Sequence, residues 1–174
     1  MSQVMQHTMN RALAIVPAVF AHAALYGDYI NACSADPAID HYDDALEDSD
    51  EYLLSVVNAA QGIGLPAGYL PQATFFAIED DKIQGAIRLR LGSNAFVDNI
   101  IGHIGYEVRP DARNRGVARA MLHWVVNQTA ARPVVITCGV DNMASRRVIE
   151  SVGAEFTGTR HDEAFGEVLR FIVR

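Results

Sequence analysis

The sequence contains few cysteines, and this scarcity excludes several kinds of site. Cys33 and Cys138 are the two cysteines among 174 residues, and they lie far apart in the chain. Such a pair does not form the closely spaced thiol motifs of zinc sites or of dithiol redox centres. We therefore expect no metal cofactor, and two free thiols in a reducing compartment.

Positive charge is also scarce. The chain has 14 Lys and Arg against 21 Asp and Glu, which gives a formal net charge of -7. A nucleic-acid-binding protein needs a basic face to neutralise phosphates, so we expect no nucleic-acid partner. Between Asp36 and Glu51, eight of sixteen residues are acidic and none is Lys or Arg. This stretch is either a solvated surface or an acidic rim that attracts a cationic amine.

No apolar run is long enough to span a bilayer, so we expect no membrane partner. The uncharged segment from Ala12 to Gly27 follows Arg11 and resembles a signal peptide, but Pro17 and His22 interrupt it. We predict a cytoplasmic protein.

Residues 1–174 are enough for one domain and too few for two ordinary ones. Residues 1–10 are predicted to be a mobile end. A homodimer is one oligomeric state that the sequence allows.

The patterns that are present predict an α/β fold. Helical spacing is seen at 19–31, 51–61, 117–127 and 144–152, and strand patterns at 12–16, 73–78, 82–91, 104–109, 134–138, around Phe156 and at 168–173. We interpret 92–99 as a connection and 158–166 as turn-rich. This order predicts a central mixed sheet flanked by helices, with a largely parallel middle and antiparallel strands at the front and back.

A basic loop joins the strand at 104–109 to the helix at 117–127. The first turn of a helix has unpaired N-H groups and partial positive charge, which suit phosphate oxygens. Gly116 lets the backbone approach an anion, and Arg113, Arg115 and Arg119 add charge. The loop therefore predicts a phosphate-bearing ligand; the alternative is an ordinary connection with solvated arginines. No Lys followed by Ser or Thr comes after Gly116, which argues against a nucleotide-binding P-loop.

The spacing Arg113-x-x-Gly116-x-Ala118 resembles the signature loop of the GNAT superfamily of N-acetyltransferases. A second stretch resembles the family's other signature, since Asn142 is followed by Ser145 and, eleven residues after the Asn, by Gly153. The resemblance covers about residues 83–158, which would form the acyl-CoA-binding core. It is strongest to an uncharacterised bacterial branch of predicted acetyltransferases that reads Gly-His-Ile-Gly-Tyr, as residues 102–106 do here.

The resemblance implies acetyl-CoA as co-substrate. It places the pantetheine along the backbone of Val108 and Arg109, with Asn142 and Ser145 beside its far end. It places the pyrophosphate at the residues of the loop and first helical turn: Arg113, Asn114, Arg115, Gly116, Val117, Ala118 and Arg119.

The implied reaction is direct acetyl transfer to an amine, with the oxyanion held by a backbone N-H of the splayed strand. Because an ammonium cannot attack, a base is needed. His103 is our first candidate and Glu107, on the same strand face, the second; a structural role is the alternative for each. Many relatives have a thiolate-protonating Tyr seven residues after the Asn, where this chain has Ile149, so Tyr106 or water would replace it. We assign Cys138 to the core.

We therefore predict an N-acetyltransferase acting on a primary amine of a small molecule or peptide. The alternative is a non-catalytic acyl-CoA-binding or sensing module of the same fold, which the missing Tyr could indicate. A nucleotide-binding domain ranks lower because the Lys-Ser/Thr pair is absent.

Overall fold

The computed structural model describes residues 12–130 and 133–174, and in these ranges seven strands form one mixed sheet. The predicted mobile end at 1–10 lies outside the described residues. The strands are β1 Ala14–Pro17, β2 Gln72–Glu79, β3 Lys82–Arg90, β4 Ile104–Val108, β5 Val134–Gly139, β6 Glu155–Asp162 and β7 Gly166–Val173. Their order across the sheet is β1-β2-β3-β4-β5-β7-β6.

The helices are α1 Ala23–Ser34, α2 Asp43–Glu47, α3 Ser49–Ala59, α4 Val117–Gln128 and α5 Met143–Glu150, with 3-10 turns at Phe20–His22 and Pro110–Ala112. Residues 92–99 are not a plain connection, because a π-helical turn spans Val97–Ile101. The acidic stretch contains α2 and the start of α3, whose first turn is capped by the Asp48 carboxylate at 3.0 Å from the N-H groups of Asp50 and Glu51. No helix of the described chain is long and apolar enough to cross a membrane.

The prediction that the middle of the sheet is largely parallel is wrong, because its parallel part is short. β4 and β5 are parallel and share one residue pair, Ile104 with Ile136, whereas β5 pairs with β7 in the antiparallel sense. The turn-rich prediction for 158–166 is also wrong, because β6 continues to Asp162 through a bulge near Gly158, whose φ is 116°. The chain therefore inserts its last strand beside β5.

Each face of the sheet has its own core. On one face, Met121, Leu122 and Val125 of α4 belong to a buried cluster with Ile136 and Phe171. Close approach of α4 depends on Gly85, since a Cβ there would come within 2.9 Å of Met121 Cε and 2.8 Å of the Glu107 carbonyl oxygen. On the other face, α1 to α3 bury an aromatic cluster that includes Tyr26, Tyr29, Tyr42 and Phe76.

The strands β4 and β5 separate after their single pair, and this opens the sheet. Arg90 N-H donates to the His103 carbonyl and Arg109 N-H to the Gln84 carbonyl, at 2.8 and 3.0 Å, so alternate residues of β4 hydrogen bond to β3. Because these bonds alternate along a strand, the backbone groups of Tyr106 and Val108 face β5 instead. The sheet thus presents free strand edges at this opening.

Candidate active site

A cavity of about 560 Å³ lies at the opening between β4 and β5. It is bounded by the end of β4, the basic loop and the first turns of α4 and α5. Eleven of the predicted site residues line it: Tyr106, Glu107, Val108, Arg113, Asn114, Gly116, Val117, Ala118, Arg119, Asn142 and Ser145. His103, Arg109 and Arg115 do not.

The two helix starts that face the cavity are shaped by local sequence. Gly116 precedes α4 with a φ of 82°, and a Cβ placed on it would meet no atom within 4 Å. Asn114, in the same loop, also has a positive φ of 60°. Asn142 caps α5 by accepting a hydrogen bond from Ser145 N-H at 3.0 Å. The backbone can therefore come close to a bound anion at both helix N-termini.

The loop arginines are less available than the sequence indicates. Arg113 pairs with Asp36 at 2.5 Å, and Arg115 pairs with Glu79. Two other guanidinium groups line the cavity, those of Arg119 and Arg147, and no carboxylate of the described residues forms an ion pair with either. Arg147, on α5, was not predicted; the basic pair Arg146-Arg147 behind the Asn142 cap was the available signal.

The side chain of Arg109 forms ion pairs within the fold and does not reach the cavity. The guanidinium is buried and donates to Asp28 at 2.9 Å and Asp111 at 2.6 Å. Its backbone N-H is also occupied, because it donates to Gln84 on β3. Of the two residues predicted to hold a pantetheine through the backbone, Val108 alone has groups that face the opening.

Glu107 is the charged centre of a buried network beside the cavity. Tyr29 and Tyr42 both donate to Oε1, with Tyr29 at 2.8 Å, and Arg88 donates to both oxygens at 2.5 and 3.0 Å. Burial alone would raise the pKa of Glu107. The Arg88 charge and the hydrogen bonds from Arg88 and Tyr42 lower it by more, so the pKa lies below its usual value. Glu107 is thus an ionised group whose oxygens are already engaged, which makes it a weak proton acceptor.

Tyr106 lies on the other face of β4. Its hydroxyl is 2.8 Å from Ser145 Oγ, at the first turn of α5. Burial raises the pKa of this tyrosine to about 12, so it holds its proton at neutral pH. Ile149 is fully buried in the core and does not line the cavity. Tyr106 therefore brings a protonated hydroxyl to the cavity, and its predicted role as the acid stays a prediction.

A family model described as the acetyltransferase (GNAT) family matches residues 30–154, which is more than half of the chain. The chain belongs to the GNAT acetyltransferase family. The family match makes it an acetyltransferase, and it includes both the Arg113 to Ala118 loop and the Asn142 cap. A search of curated proteins finds no significant match.

Solved structures share the GNAT fold at low sequence identity. The microcin C7 self-immunity acetyltransferase MccE, in complex with acetyl-CoA and AMP, has a TM-score of 0.72 at 15% identity over 92% of this chain and 91% of that one. The ribosomal-protein-S5-alanine acetyltransferase from Vibrio fischeri also has 0.72, at 14% identity over 94% and 93%. The ribosomal L7/L12 α-N-protein acetyltransferase RimL, in complex with coenzyme A, has 0.64 at 15% identity over 92% and 93%. At these identities the likeness shows a shared fold.

His103, our first base candidate in this GNAT domain, lies away from the cavity. Gly102 has a φ of 68°, and a Cβ on it would approach the Val135 carbonyl to 3.0 Å, so this glycine brings His103 against β5. His103 Nδ1 accepts from Val135 N-H at 2.9 Å, and Nε2 is 3.1 Å from Ser93 Oγ. The neutral ring therefore carries its proton on Nε2 and has no free lone pair.

His103 and Glu107 share a strand face, but four residues of extended chain separate their Cα atoms by roughly 13 Å. Burial lowers the pKa of His103, which agrees with a neutral structural ring. The structure does not bring the two base candidates together. A catalytic role for His103 stays a prediction that its contacts do not support.

Sequence reasoning missed His41, which lies beside Glu107. Its Nε2 is 3.9 Å from Glu107 Oε2, its ring packs on Tyr42 with centroids 4.3 Å apart, and its side chain is 48% exposed. Burial lowers the pKa of His41, which Glu107 partly offsets, so the imidazole is neutral at pH 7. His41 is thus an accessible proton acceptor; it was overlooked because the acidic stretch around it reads as solvated surface.

The remaining polar candidates have no catalytic environment. Both cysteines are free and buried, and burial raises the pKa of Cys138, so its thiol is a poor nucleophile. Among residues 12–130 and 133–174, no group of three or more His, Cys, Asp or Glu side chains could hold a metal ion.

Proposed function

We propose that this GNAT acetyltransferase binds acetyl-CoA in the cavity between β4 and β5 and transfers the acetyl group directly to a primary amine of a small molecule or peptide. The observation that carries the proposal is the 560 Å³ cavity that joins the Arg113 to Ala118 loop to Asn142, Ser145 and Glu107. This cavity combines two helix N-termini with the end of β4 that has separated from β5.

The pyrophosphate would lie at the start of α4. Gly116 leaves open space there, the first-turn N-H groups are unpaired, and Arg119 and Arg147 supply charge. The pantetheine amides would then pair with the outward-facing backbone of Val108, as an added strand does. The acetyl carbonyl oxygen, negative in the tetrahedral intermediate, would accept a backbone N-H at the splay.

The attacking amine must lose a proton. Glu107 is ionised but fully hydrogen bonded and paired with Arg88, so it would not take the proton itself. We assign the proton to His41, directly or through one water, because its ring is neutral, half-exposed and next to Glu107. The leaving thiolate would take a proton from Tyr106, whose hydroxyl Ser145 orients.

The alternative remains an acyl-CoA-binding module without turnover. Ile149 favours it, because a core side chain stands where many relatives have the acid. Steady release of CoA thiol in the presence of an amine panel separates enzyme from module. We place the reaction in the cytoplasm, and the two free thiols support a reducing compartment.

The binding step is tested by thermal unfolding. Acetyl-CoA should raise the melting temperature by an amount that grows with the logarithm of its concentration over its dissociation constant, while ATP and NAD at equal concentration should not. Equal protection by ATP would refute the CoA assignment. Protection by acetyl-CoA with no thiol release from any amine would instead select the binding module.

A further inference from the structure

A second cavity, of about 480 Å³, lies at the opposite end of β4 from the basic loop. It is bounded by the end of β3, the start of β5 and the π-helical turn. Four charged or titratable side chains line it: Arg90, Asp98, His103 and Arg170. The proposed transfer uses none of them.

Arg90 is the distinctive group of this cavity. Its Nη1 donates to the Gly102 carbonyl at 3.1 Å, and no carboxylate of the described residues forms an ion pair with it. Two residues earlier, Arg88 pairs with Glu107, and the buried Arg109 pairs with two aspartates. Burial and the charge of Arg88 lower the pKa of Arg90 to about 10. A cation partly withdrawn from water without a counter-ion is unfavourable, and a bound anion would relieve that cost.

The charges in this cavity sum to one uncompensated positive charge. Arg170 donates to the Asp98 carbonyl at 2.6 Å and to Thr157 Oγ1 at 2.8 Å, and no carboxylate of the described residues pairs with it. Asp98 contributes one negative charge, with its carboxylate bonded to Ser93, and His103 is neutral. Two guanidinium groups against one carboxylate fit a monoanion better than a dianion.

The side chains of Arg90 and Glu107 lie on the same face of the sheet. Gly105 on β4 lies beside Arg90, since a Cβ at Gly105 would be 3.7 Å from Arg90 Nη1 and 3.9 Å from Nη2. Because residue 105 is a glycine, no side chain of β4 stands at that position beside the Arg90 guanidinium. Glu107 is two residues further along β4, a distance of roughly 7 Å. A molecule lying on this face could reach both groups.

We propose that the acceptor amine carries a carboxylate, which Arg90 binds at the second cavity while the amino group lies beside Glu107. A carboxylate is the monoanion whose planar geometry matches a guanidinium fork. The inference rests on the proposed acetyl transfer for the role of the amine. The anion site itself does not depend on turnover.

The test separates these two parts. Butyrate, which has a carboxylate and no amine, is added to the protein with the CoA site saturated, and its dissociation constant is taken from the melting temperature at ionic strength matched with chloride. We expect protection of the wild type, weakened by about tenfold or more in Arg90→Met, as loss of a charge-assisted hydrogen bond predicts. Arg160→Met, a partly exposed arginine on β6 outside both cavities, is the matched control and should behave as wild type. Equal butyrate affinity in wild type and Arg90→Met would overturn the proposal.

Turnover then tests the link to the acceptor. For 6-aminohexanoate against hexylamine, wild-type kcat/KM should favour the carboxylate-bearing amine by about tenfold or more, and Arg90→Met should bring that ratio towards one. A ratio unchanged by Arg90→Met would also overturn the proposal. If Arg90→Met does not fold by circular dichroism, Arg90→Lys keeps the charge and loses the fork, and an intermediate butyrate affinity is expected. If neither amine is acetylated while butyrate protection still depends on Arg90, the proposed function fails and the carboxylate site stands.

Discussion

The two ends of β4 differ in how their charges are satisfied. At the end that faces the basic loop, Glu107 is held by two tyrosines and Arg88. At the other end, Arg90 has backbone carbonyls as acceptors and no carboxylate of the described residues as an ion-pair partner. Burial alone therefore does not mark a group for chemistry. What matters is whether a charge or lone pair remains for a ligand.

The two histidines beside this strand follow the same rule. His103 has a favourable position in the sequence pattern, yet Val135 and Ser93 occupy its two nitrogens. His41 lies in a stretch without any motif and keeps an exposed ring next to Glu107. Under our proposals, cofactor binding and proton removal belong to one end of β4 and anion recognition to the other, and variants can test each proposal.

The largest effect is expected for Gly116→Glu at the cofactor end. The carboxylate would occupy the open space at the start of α4 and repel the pyrophosphate, so acetyl-CoA affinity should fall by about 10³-fold or more, roughly 4 kcal/mol. Gly116→Ala is the control, because it has the same strained positive φ and no charge. Isothermal titration measures both variants. Similar losses in the two would assign the effect to backbone strain, and unchanged affinity in Gly116→Glu would move the cofactor elsewhere.

The next largest effect is expected on the stability of the fold, when the paired charge of Glu107 is removed. Glu107→Gln leaves the Arg88 guanidinium unpaired against two tyrosine hydroxyls, and breaking a buried pair costs about 3 to 5 kcal/mol of unfolding free energy. Denaturant unfolding measures this loss of stability. The double variant Glu107→Gln/Arg88→Met should recover part of the lost unfolding free energy, because no buried charge remains. A double variant no more stable than the single one would contradict this explanation.

The same variant carries a pH signature. The pKa of Glu107 is lower in the folded state than its usual 4.5, so its contribution to stability is present above that value. It is lost as the pH falls through the folded pKa. Between these two pKa values the unfolding free energy of Glu107→Gln should therefore depend less on pH than that of the wild type.

Sequence patterns predicted the basic loop and the Asn142 cap better than they predicted the surroundings of Glu107, for a physical reason. Arg113, Gly116 and Ala118 are neighbours in one loop, and Asn142 caps its own helix, so short spacings carry their geometry. Glu107 meets Tyr29 and Tyr42, which are 78 and 65 residues away, and that meeting depends on how α1 and the acidic stretch pack on the sheet. No local pattern encodes such contacts.

The errors in the fold have the same origin. A run of strand, helix and strand patterns predicts parallel neighbours, but β7 pairs with β5 from the far end of the chain. This long-range pairing displaces β6 to the sheet edge, where a bulge lets Gly158 stay inside a strand. The central mixed sheet and its flanking helices were predicted correctly, because each element has its own periodicity.

The smallest effect, and the sharpest for the mechanism, compares the two histidines directly. His41→Gln removes the exposed imidazole beside Glu107, and kcat should fall by about 10²-fold, the low end for a general base, because water can replace an exposed ring. In His103→Gln, kcat should fall by less than about threefold, because the wild-type ring has no free lone pair to accept a proton.

The pH profile of kcat distinguishes the two histidines further. Since burial lowers the pKa of His41, wild-type kcat should decline as the pH falls through a value below 6.5. This low-pH limb should vanish in His41→Gln and persist in His103→Gln. Acetyl-CoA affinity should remain normal in both variants. If His103→Gln instead abolishes the limb while His41→Gln keeps it, the proton leaves at the other end of β4, and the division between the two ends is wrong.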